Sequence, residues 1–123
     1  MITIMTYLNF IKEKGKSIGE INPGSDAYAL EVDDALQAIE ILKEIHIPVL
    51  GGDILSNKSG SLIYAYQFWG SQYHCLNWYC EKSDSESKEV FCERSIHKAK
   101  KAIELANMTA KKLGKKCYIN LIV

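Results

Sequence analysis

The stretch Val49-Leu-Gly-Gly-Asp-Ile-Leu55 decides the fold class, because the apolar pattern changes here from the period of a helix to that of a strand. Pro48 marks the boundary before it, and the polar run Ser56–Ser61 predicts a turn after it. Two further strands are predicted, Leu62–Phe68 and His74–Glu81. The middle of the chain is therefore predicted to form an antiparallel meander.

Helical periodicity predicts three helices around this meander, at about Thr3–Lys14, Asp33–Ile45 and Ser87–Leu113. The segment Gly15–Gly24 is predicted to be a loop, and the almost entirely apolar Cys117–Val123 a central or well-covered strand. We therefore predict one α+β domain over residues 1–123, with an antiparallel-rich sheet of about four strands and helices packed mainly on one face.

The charges balance overall but are unevenly distributed. The chain has 15 basic and 15 acidic residues, so its net charge gives no case for nucleic acid or a membrane as a direct partner. Residues 20–53 nevertheless carry eight acidic residues against Lys43 alone, and residues 94–116 carry eight basic residues against Glu104 alone. Solvated helix faces explain both regions, and the acidic one also suits a cationic partner.

The cysteines and histidines give little support for a catalytic or metal site. The apolar start, Met1–Ile11, lacks a cationic leader and a small-residue cleavage site, so we expect no signal peptide, a cytoplasmic location and reduced thiols. No CxxC knuckle is present, and we therefore expect no metal and no cofactor. The alternative is a zinc or thiol site drawn from His74, Cys75, Cys80, Cys92 and His97.

Aromatic residues are concentrated in one segment. Seven of the twelve aromatic side chains lie in Tyr64–Tyr79, which we call the aromatic segment. Tyrosine and tryptophan favour positions with one apolar and one wet side, as at protein interfaces. Trp69 and Tyr73 are therefore candidate contact residues. Ordinary core packing and cross-strand pairing remain the alternative for the whole segment.

Gly51-Gly52-Asp53 is the other motif with possible function. Two adjacent glycines allow close approach of backbone, and the neighbouring carboxylate can bind an amine or a metal. The motif is not a phosphate loop, because no helix and no Gly-Lys-Ser/Thr ending follows it. A β-bulge or a tight strand crossing is the alternative interpretation.

Three short motifs follow one another in the order Ile47-Pro-Val-Leu-Gly-Gly-Asp53, Asn77-Trp-Tyr-Cys80 and Cys92-Glu-Arg-Ser-Ile96. In this order, with a helix before the first and a hairpin after it, the chain resembles the immunity protein 40 family of bacterial polymorphic-toxin systems. The similarity covers roughly Asp33 to Ile103. It implies a cytoplasmic antidote in contact-dependent growth inhibition, which binds a toxin domain and has no chemistry of its own.

Together these observations predict a stoichiometric, non-enzymatic inhibitor of a cognate toxin C-terminal domain, with a nuclease as one expected toxin activity. The predicted partner-binding residues are Asp33, Asp34, Glu40, Asp53, Trp69 and Tyr73, and the predicted structural residues are Gly51, Gly52 and Trp78. Two alternatives remain open. One is a small metal- or thiol-dependent enzyme that uses Cys80, Cys92 and His97, and the other is a peptide-binding adaptor that uses an exposed sheet edge.

Overall fold

The computed structural model describes the whole chain, Met1 to Val123, and contains four α-helices. These are α1 Ile4–Lys14, α2 Val32–Glu44, α3 Ala65–Trp69 and α4 Lys88–Leu113. The predicted positions of α1, α2 and α4 are confirmed to within a residue or so. None of the helices has the combined length and hydropathy of a membrane-spanning segment.

The helix ends follow the sequence signals. At the start of α1 the backbone N–H of Thr3 donates to Oγ1 of Thr6 (3.1 Å). At the start of α4 the Ser87 hydroxyl accepts from the N–H of Val90 (3.1 Å), and so satisfies one free donor of the first turn. Gly114 ends α4 in the left-handed region at φ 66°, a conformation that glycine adopts without strain.

Six strands form one antiparallel sheet. They are β1 Lys16–Ser17, β2 Tyr28–Glu31, β3 Gly51–Lys58, β4 Ser61–Tyr64, β5 Trp78–Tyr79 and β6 Tyr118–Ile122. The order across the sheet is β1-β2-β6-β3-β4, and β5 also pairs with β3. The α+β class is confirmed, with six strands rather than about four. As predicted from its apolar sequence, β6 is central, with β2 and β3 on its two edges.

The predicted meander is wrong in its second half. Strand β4 ends at Tyr64, and the residues Ala65–Phe68 that were predicted to continue it form α3 instead. A 3-10 helix, Ser71–Leu76, replaces the first three residues of the predicted third strand, of which only Trp78 and Tyr79 form a strand. The short remainder, β5, pairs with β3 and not with β4. Strands β4 and β5 therefore share one edge of β3, and the aromatic segment leaves that edge and returns to it.

The predicted loop Gly15–Gly24 is also partly wrong, because β1 lies within it and pairs with β2.

The hairpin between β3 and β4 is tighter than predicted. Lys58 pairs with Ser61, and both intervening residues, Ser59 and Gly60, have positive φ (53° and 88°). Such a two-residue turn matches the twist of the flanking strands.

The main core lies between the sheet and helices α1, α2 and α4. It includes Ile39 and Leu42 of α2, Ile54 of β3, Ile119 of β6 and the inward seam of α4. That seam is buried as predicted at Cys92, Ile96, Ala99, Ile103, Ala106 and Ala110. The opposite face of the sheet carries a smaller cluster of Ile18, Ala29, Leu55, Leu62 and Tyr118, covered by the segment after β1.

A buried hydroxyl ties α4 to the start of the sheet. Ser95 is fully buried on α4, where its Oγ accepts from the N–H of Val49 (3.0 Å) and donates to the carbonyl of Cys92 (2.9 Å). The bond satisfies a backbone donor that has no strand partner just before β3. The N-terminal half of α4 is thereby held over the Gly-Gly motif.

Candidate partner-binding surfaces

The acidic residues of α2 lie on the outer side of the helix layer. Asp33 and Asp34 occupy the first turn of α2, where the helix dipole favours negative charge. Asp33 and Glu40 are exposed, whereas Asp34 is half-buried. Glu40 forms an ion pair with Lys100 of α4 (2.6 Å), and the hydrogen bond from Lys100 lowers the pKa of Glu40. Glu40 is thus partly neutralised, while Asp33 and Asp34 have no basic partner within ion-pair distance.

Trp69 and Tyr73 lie at the other side of α4. Both are half-buried and pack against the main core, with their rings edge to face at 6.0 Å between centroids. The indole N–H of Trp69 is buried and has no hydrogen-bond partner. Because α4 packs against both α2 and the 3-10 helix, it lies between these two rings and the acidic residues of α2.

The Gly-Gly motif is in close contact with Trp78. Gly51 pairs with Tyr79 and Gly52 pairs with Trp78 across β3 and β5. A Cβ on Gly52 would overlap the six-membered ring of the indole, and a Cβ on Gly51 would meet the Trp78 carbonyl. Trp78 is 6% exposed and belongs to the main core. Both glycines are therefore at positions where a side chain cannot be placed without moving β5.

Asp53 lies on the sheet face opposite the helices. It follows Gly52 in β3 and pairs with Asn120 of β6. The Asn120 amide donates to Oδ2 of Asp53 at 3.3 Å, and Asp53 is half-buried. The structure therefore places Asp53 on a different layer from Asp33, Asp34 and Glu40.

Aromatic rings beside Asp53 form a group that the sequence reasoning missed. Tyr64 stacks on Tyr66 with 6.1 Å between centroids, and Tyr66 meets His74 edge to face at 4.7 Å. Burial is the main cause of the raised pKa of Tyr64, and the nearby Asp53 carboxylate raises it further. Strand alternation correctly put Tyr64 on one face of β4, but the conversion of Ala65–Trp69 to a helix is what brings Tyr66 against it.

The thiols are dispersed. Cys75 is exposed on the 3-10 helix, whereas Cys80 and Cys92 are buried and Cys117 is half-buried. Burial raises the pKa of Cys117 to about 12, and burial with the nearby Glu93 carboxylate raises the pKa of Cys92. No three metal-ligating side chains come together in the structure. The candidate group of His74, Cys75, Cys80, Cys92 and His97 is therefore not assembled into one site.

Residues 16–123 match the sequence model of the family described as immunity protein 40. The chain belongs to this family. The match contains all six strands together with α2, α3 and α4, whereas α1 precedes it. No curated protein and no solved structure matches the chain.

Within the immunity protein 40 region, a cleft of about 490 Å³ lies between the end of α2 and the first half of α4. It is lined mostly by charged and imidazole side chains, namely Lys43, His46, Glu89, Glu93, His97 and Lys100, together with Cys92 and Ile96. Acidic and basic groups alternate around it, so the cleft has no single charge that would select a ligand. His97 and Cys92 both line it, but the raised pKa of Cys92 disfavours its thiolate.

Proposed function

We propose that the chain is a stoichiometric inhibitor that binds the toxin domain of a cognate effector and neutralises it without chemistry of its own. The observation that carries the proposal is the match to immunity protein 40, which extends over all but the first 15 residues. Such a protein meets its toxin in the cytoplasm of the bacterium that encodes both, and the setting is a polymorphic-toxin system of contact-dependent growth inhibition.

The charge of α2 supports a toxin with a cationic surface. Toxins that act on nucleic acid have cationic clefts, and a nuclease is accordingly the toxin class we favour. The exposed carboxylate of Asp33 and the half-buried one of Asp34 lie at the start of α2 without a basic partner, so they attract such a surface during encounter. Glu40 contributes less in the free protein because Lys100 already pairs with it.

One interface can include both α2 and the aromatic segment. Neighbouring helix axes lie about 8–10 Å apart, so a surface that crosses α4 from α2 to Trp69 and Tyr73 spans roughly 16–20 Å. A standard interface buries about 800 Å² on each partner, which corresponds to a disc about 30 Å across. We therefore propose that one toxin domain contacts both the α2 carboxylates and the Trp69–Tyr73 pair across α4. Because α4 carries Lys98, Lys100 and Lys101, the toxin surface over that helix is expected to be acidic, and its cationic part to face α2.

The dispersed thiols favour an inhibitor over the thiol-dependent enzyme. A nucleophilic cysteine needs a lowered pKa and an adjacent base, yet burial raises the pKa of Cys92 and Cys117. Cys75 is exposed, but its thiol donates to the carbonyl of Gln72 (3.2 Å) and makes no hydrogen bond to a histidine. We thus propose no catalytic residue.

The test is direct binding to the C-terminal domain of the effector encoded immediately upstream. An inactive variant of that domain, mixed with this chain, is expected to form a 1:1 complex by size-exclusion chromatography with light scattering. Co-expression of this chain with the active domain is expected to restore growth. A toxin domain from an unrelated effector serves as the control and is expected neither to bind nor to be neutralised. Absence of a complex at micromolar concentrations would overturn the proposal.

A further inference from the structure

Asp53 is an unusual residue for its place in the sheet. Strand β3 is paired on both edges, to β6 on one side and to β4 and β5 on the other, and aspartate is depleted in strands. Asn120 donates to Oδ2 only, and no other hydrogen bond to the Asp53 side chain is present. No lysine, arginine or histidine lies within ion-pair distance of it. The carboxylate therefore keeps an unused acceptor on a face that no helix covers.

The register of the sheet places a tyrosine on each side of this carboxylate. Tyr79 is opposite Gly51 and Tyr64 is opposite Leu55, so both side chains share the face of Asp53, one row away in each direction. Diagonal neighbours of this kind are roughly 7 Å apart, within reach of aromatic side chains. Tyr79 is 67% exposed. The ring of Tyr64 contacts that of Tyr66, which in turn contacts the ring of His74. We call this group the Asp53 patch: Asp53, Asn120, Tyr64, Tyr66, His74 and Tyr79.

The charged side chains of this face are mainly acidic. Glu31 faces the same way one strand beyond β6 and is exposed. Two basic side chains near this face are already engaged: Lys16 is held over the ring of Tyr118, with its Nζ 3.4 Å from the Tyr118 hydroxyl, and Lys98 donates to the Tyr79 carbonyl. The potential around Asp53 is thus negative, and the complementary ligand is a cation.

We infer that the Asp53 patch binds an arginine or lysine side chain of the toxin domain. A carboxylate between tyrosine rings can form an ion pair with such a group, while the ring faces make cation–π contacts with it. The planar guanidinium of arginine suits both interactions better than the ammonium of lysine. Tyrosines around a partly desolvated charge are also typical of the residues that dominate interface energetics. The inference rests on the proposed inhibitor function and is an alternative to the footprint across α4, because the Asp53 patch lies on the sheet face opposite α1, α2 and α4.

The experiment compares Asp53→Asn and Tyr79→Ser with Asp84→Asn as a matched control, since Asp84 is exposed and lies outside both proposed contact regions. Dissociation constants for the inactive toxin domain are measured by calorimetry, and thermal unfolding checks each variant. Asp53→Asn keeps the volume and the contact to Asn120 but removes the charge, and it is expected to weaken binding by at least about thirtyfold. Tyr79→Ser is expected to weaken it about tenfold, whereas Asp84→Asn should leave it unchanged.

The outcomes separate this inference from the function on which it rests. Wild-type affinity in both Asp53→Asn and Tyr79→Ser would overturn the patch and leave the inhibitor in place. Failure of the wild-type chain to bind would overturn both. If Asp53→Asn unfolds, Tyr79→Ser decides, because Tyr79 is largely exposed. Replacing the arginines and lysines of the toxin singly by methionine should reveal one whose loss cancels the effect of Asp53→Asn; if none does, a cation is not the ligand.

Discussion

The six-membered ring of the Trp78 indole occupies the space over Gly52, its cross-strand neighbour, that a side chain at position 52 would fill. The two residues act as one unit, since the ring can reach the core only because the strand beneath it has no Cβ. The pair lies directly beside Asp53, so the packing of β5 also fixes Tyr79 on the opposite face.

We predict that Gly52→Ala destabilises the fold by about 1–3 kcal/mol, because the added methyl forces the Trp78 ring and β5 to shift. Urea unfolding followed by tryptophan fluorescence measures the change. Gly19→Ala is the control, since its Cβ would meet the Ser17 hydroxyl at 3.2 Å and the Ser25 carbonyl at 3.6 Å, without overlapping a ring. Equal stability of the two variants would contradict the close packing of Gly52 and Trp78.

Trp78→Ala is expected to cost about 3–5 kcal/mol and to leave little soluble protein, because it empties a large part of the main core. Trp78→Phe should cost much less. The Trp78 indole N–H is buried without a hydrogen-bond partner, so phenylalanine removes an unsatisfied donor along with some volume. Chemical denaturation of both variants tests whether Trp78→Phe is the more stable of the two. A Trp78→Phe variant as unstable as Trp78→Ala would argue against an unpaired indole.

Glu86 is predicted to titrate unusually low. The Arg94 guanidinium binds both of its carboxylate oxygens (2.6 and 2.8 Å) and the Ser83 N–H adds a third bond, which together lower the pKa of Glu86 to about 2. The folded pKa lies below the unfolded value of about 4.3, so the stabilisation is present above that pH and is lost as pH falls toward 2. Salt weakens it, because Arg94 is exposed to solvent.

A carboxyl NMR titration of the wild type and of Arg94→Gln tests this point. The midpoint of Glu86 should rise toward its ordinary value in the variant, while the Ser83 hydrogen bond retains part of the lowering. A midpoint that does not move would show that Arg94 is not its main partner.

Cys75 is predicted to be the one fast-reacting thiol. It is exposed, whereas Cys80 and Cys92 are buried and burial raises the pKa of Cys117 to about 12. Reaction of the native protein with a chromogenic disulfide at pH 8 should therefore show a single rapid phase of one thiol per chain. Cys75→Ser should remove it, and a rapid phase that survives this change would point to an accessible second thiol.

The α2 carboxylates and Trp69 are predicted to affect toxin binding differently. Charge reversal at Asp33 or Asp34 should lower the association rate constant roughly two- to fivefold at low salt and flatten its salt dependence. Reversal at Glu40 should do less, because Lys100 already pairs with it. Trp69→Ala should mainly raise the dissociation rate constant. Surface plasmon resonance separates the two rates, and unchanged kinetics in all four folded variants would exclude the footprint across α4.

The sequence predicted the long elements well because their signals are local and repeated. The seam of α4 recurs over about five turns, and its caps, Ser87 and Gly114, are both strong. Strand β6 is almost wholly apolar, as expected for a strand with neighbours on both edges. In both cases one pattern extends over enough residues to outweigh any single exception.

The aromatic segment was mispredicted because local pattern and tertiary packing disagree there. Tyr64-Ala-Tyr-Gln-Phe68 alternates and is rich in strand-forming residues, yet the chain turns into α3 at Ala65, where Ala65 is buried and Trp69 packs against the main core. Strands β1 and β2 were missed because they have no clear local pattern. With two and four residues, they are too short to show the alternation of a strand. The turn at Ala65 determines which side chains surround Asp53. The alternation of side chains along a strand could therefore not predict the Asp53 patch.

Both ends of the aromatic segment are anchored on one strand. Tyr64 is fixed opposite Leu55 and Trp78 opposite Gly52, so β3 alone sets the gap that residues 65–77 must bridge, about 10 Å over three strand residues. A segment that begins and ends on the same strand can be lengthened, shortened or exchanged without shifting any other register in the sheet. Residues 65–77 can therefore be exchanged as a unit without disturbing the rest of the sheet, provided that the replacement keeps Ala65 and Leu76, which belong to the main core.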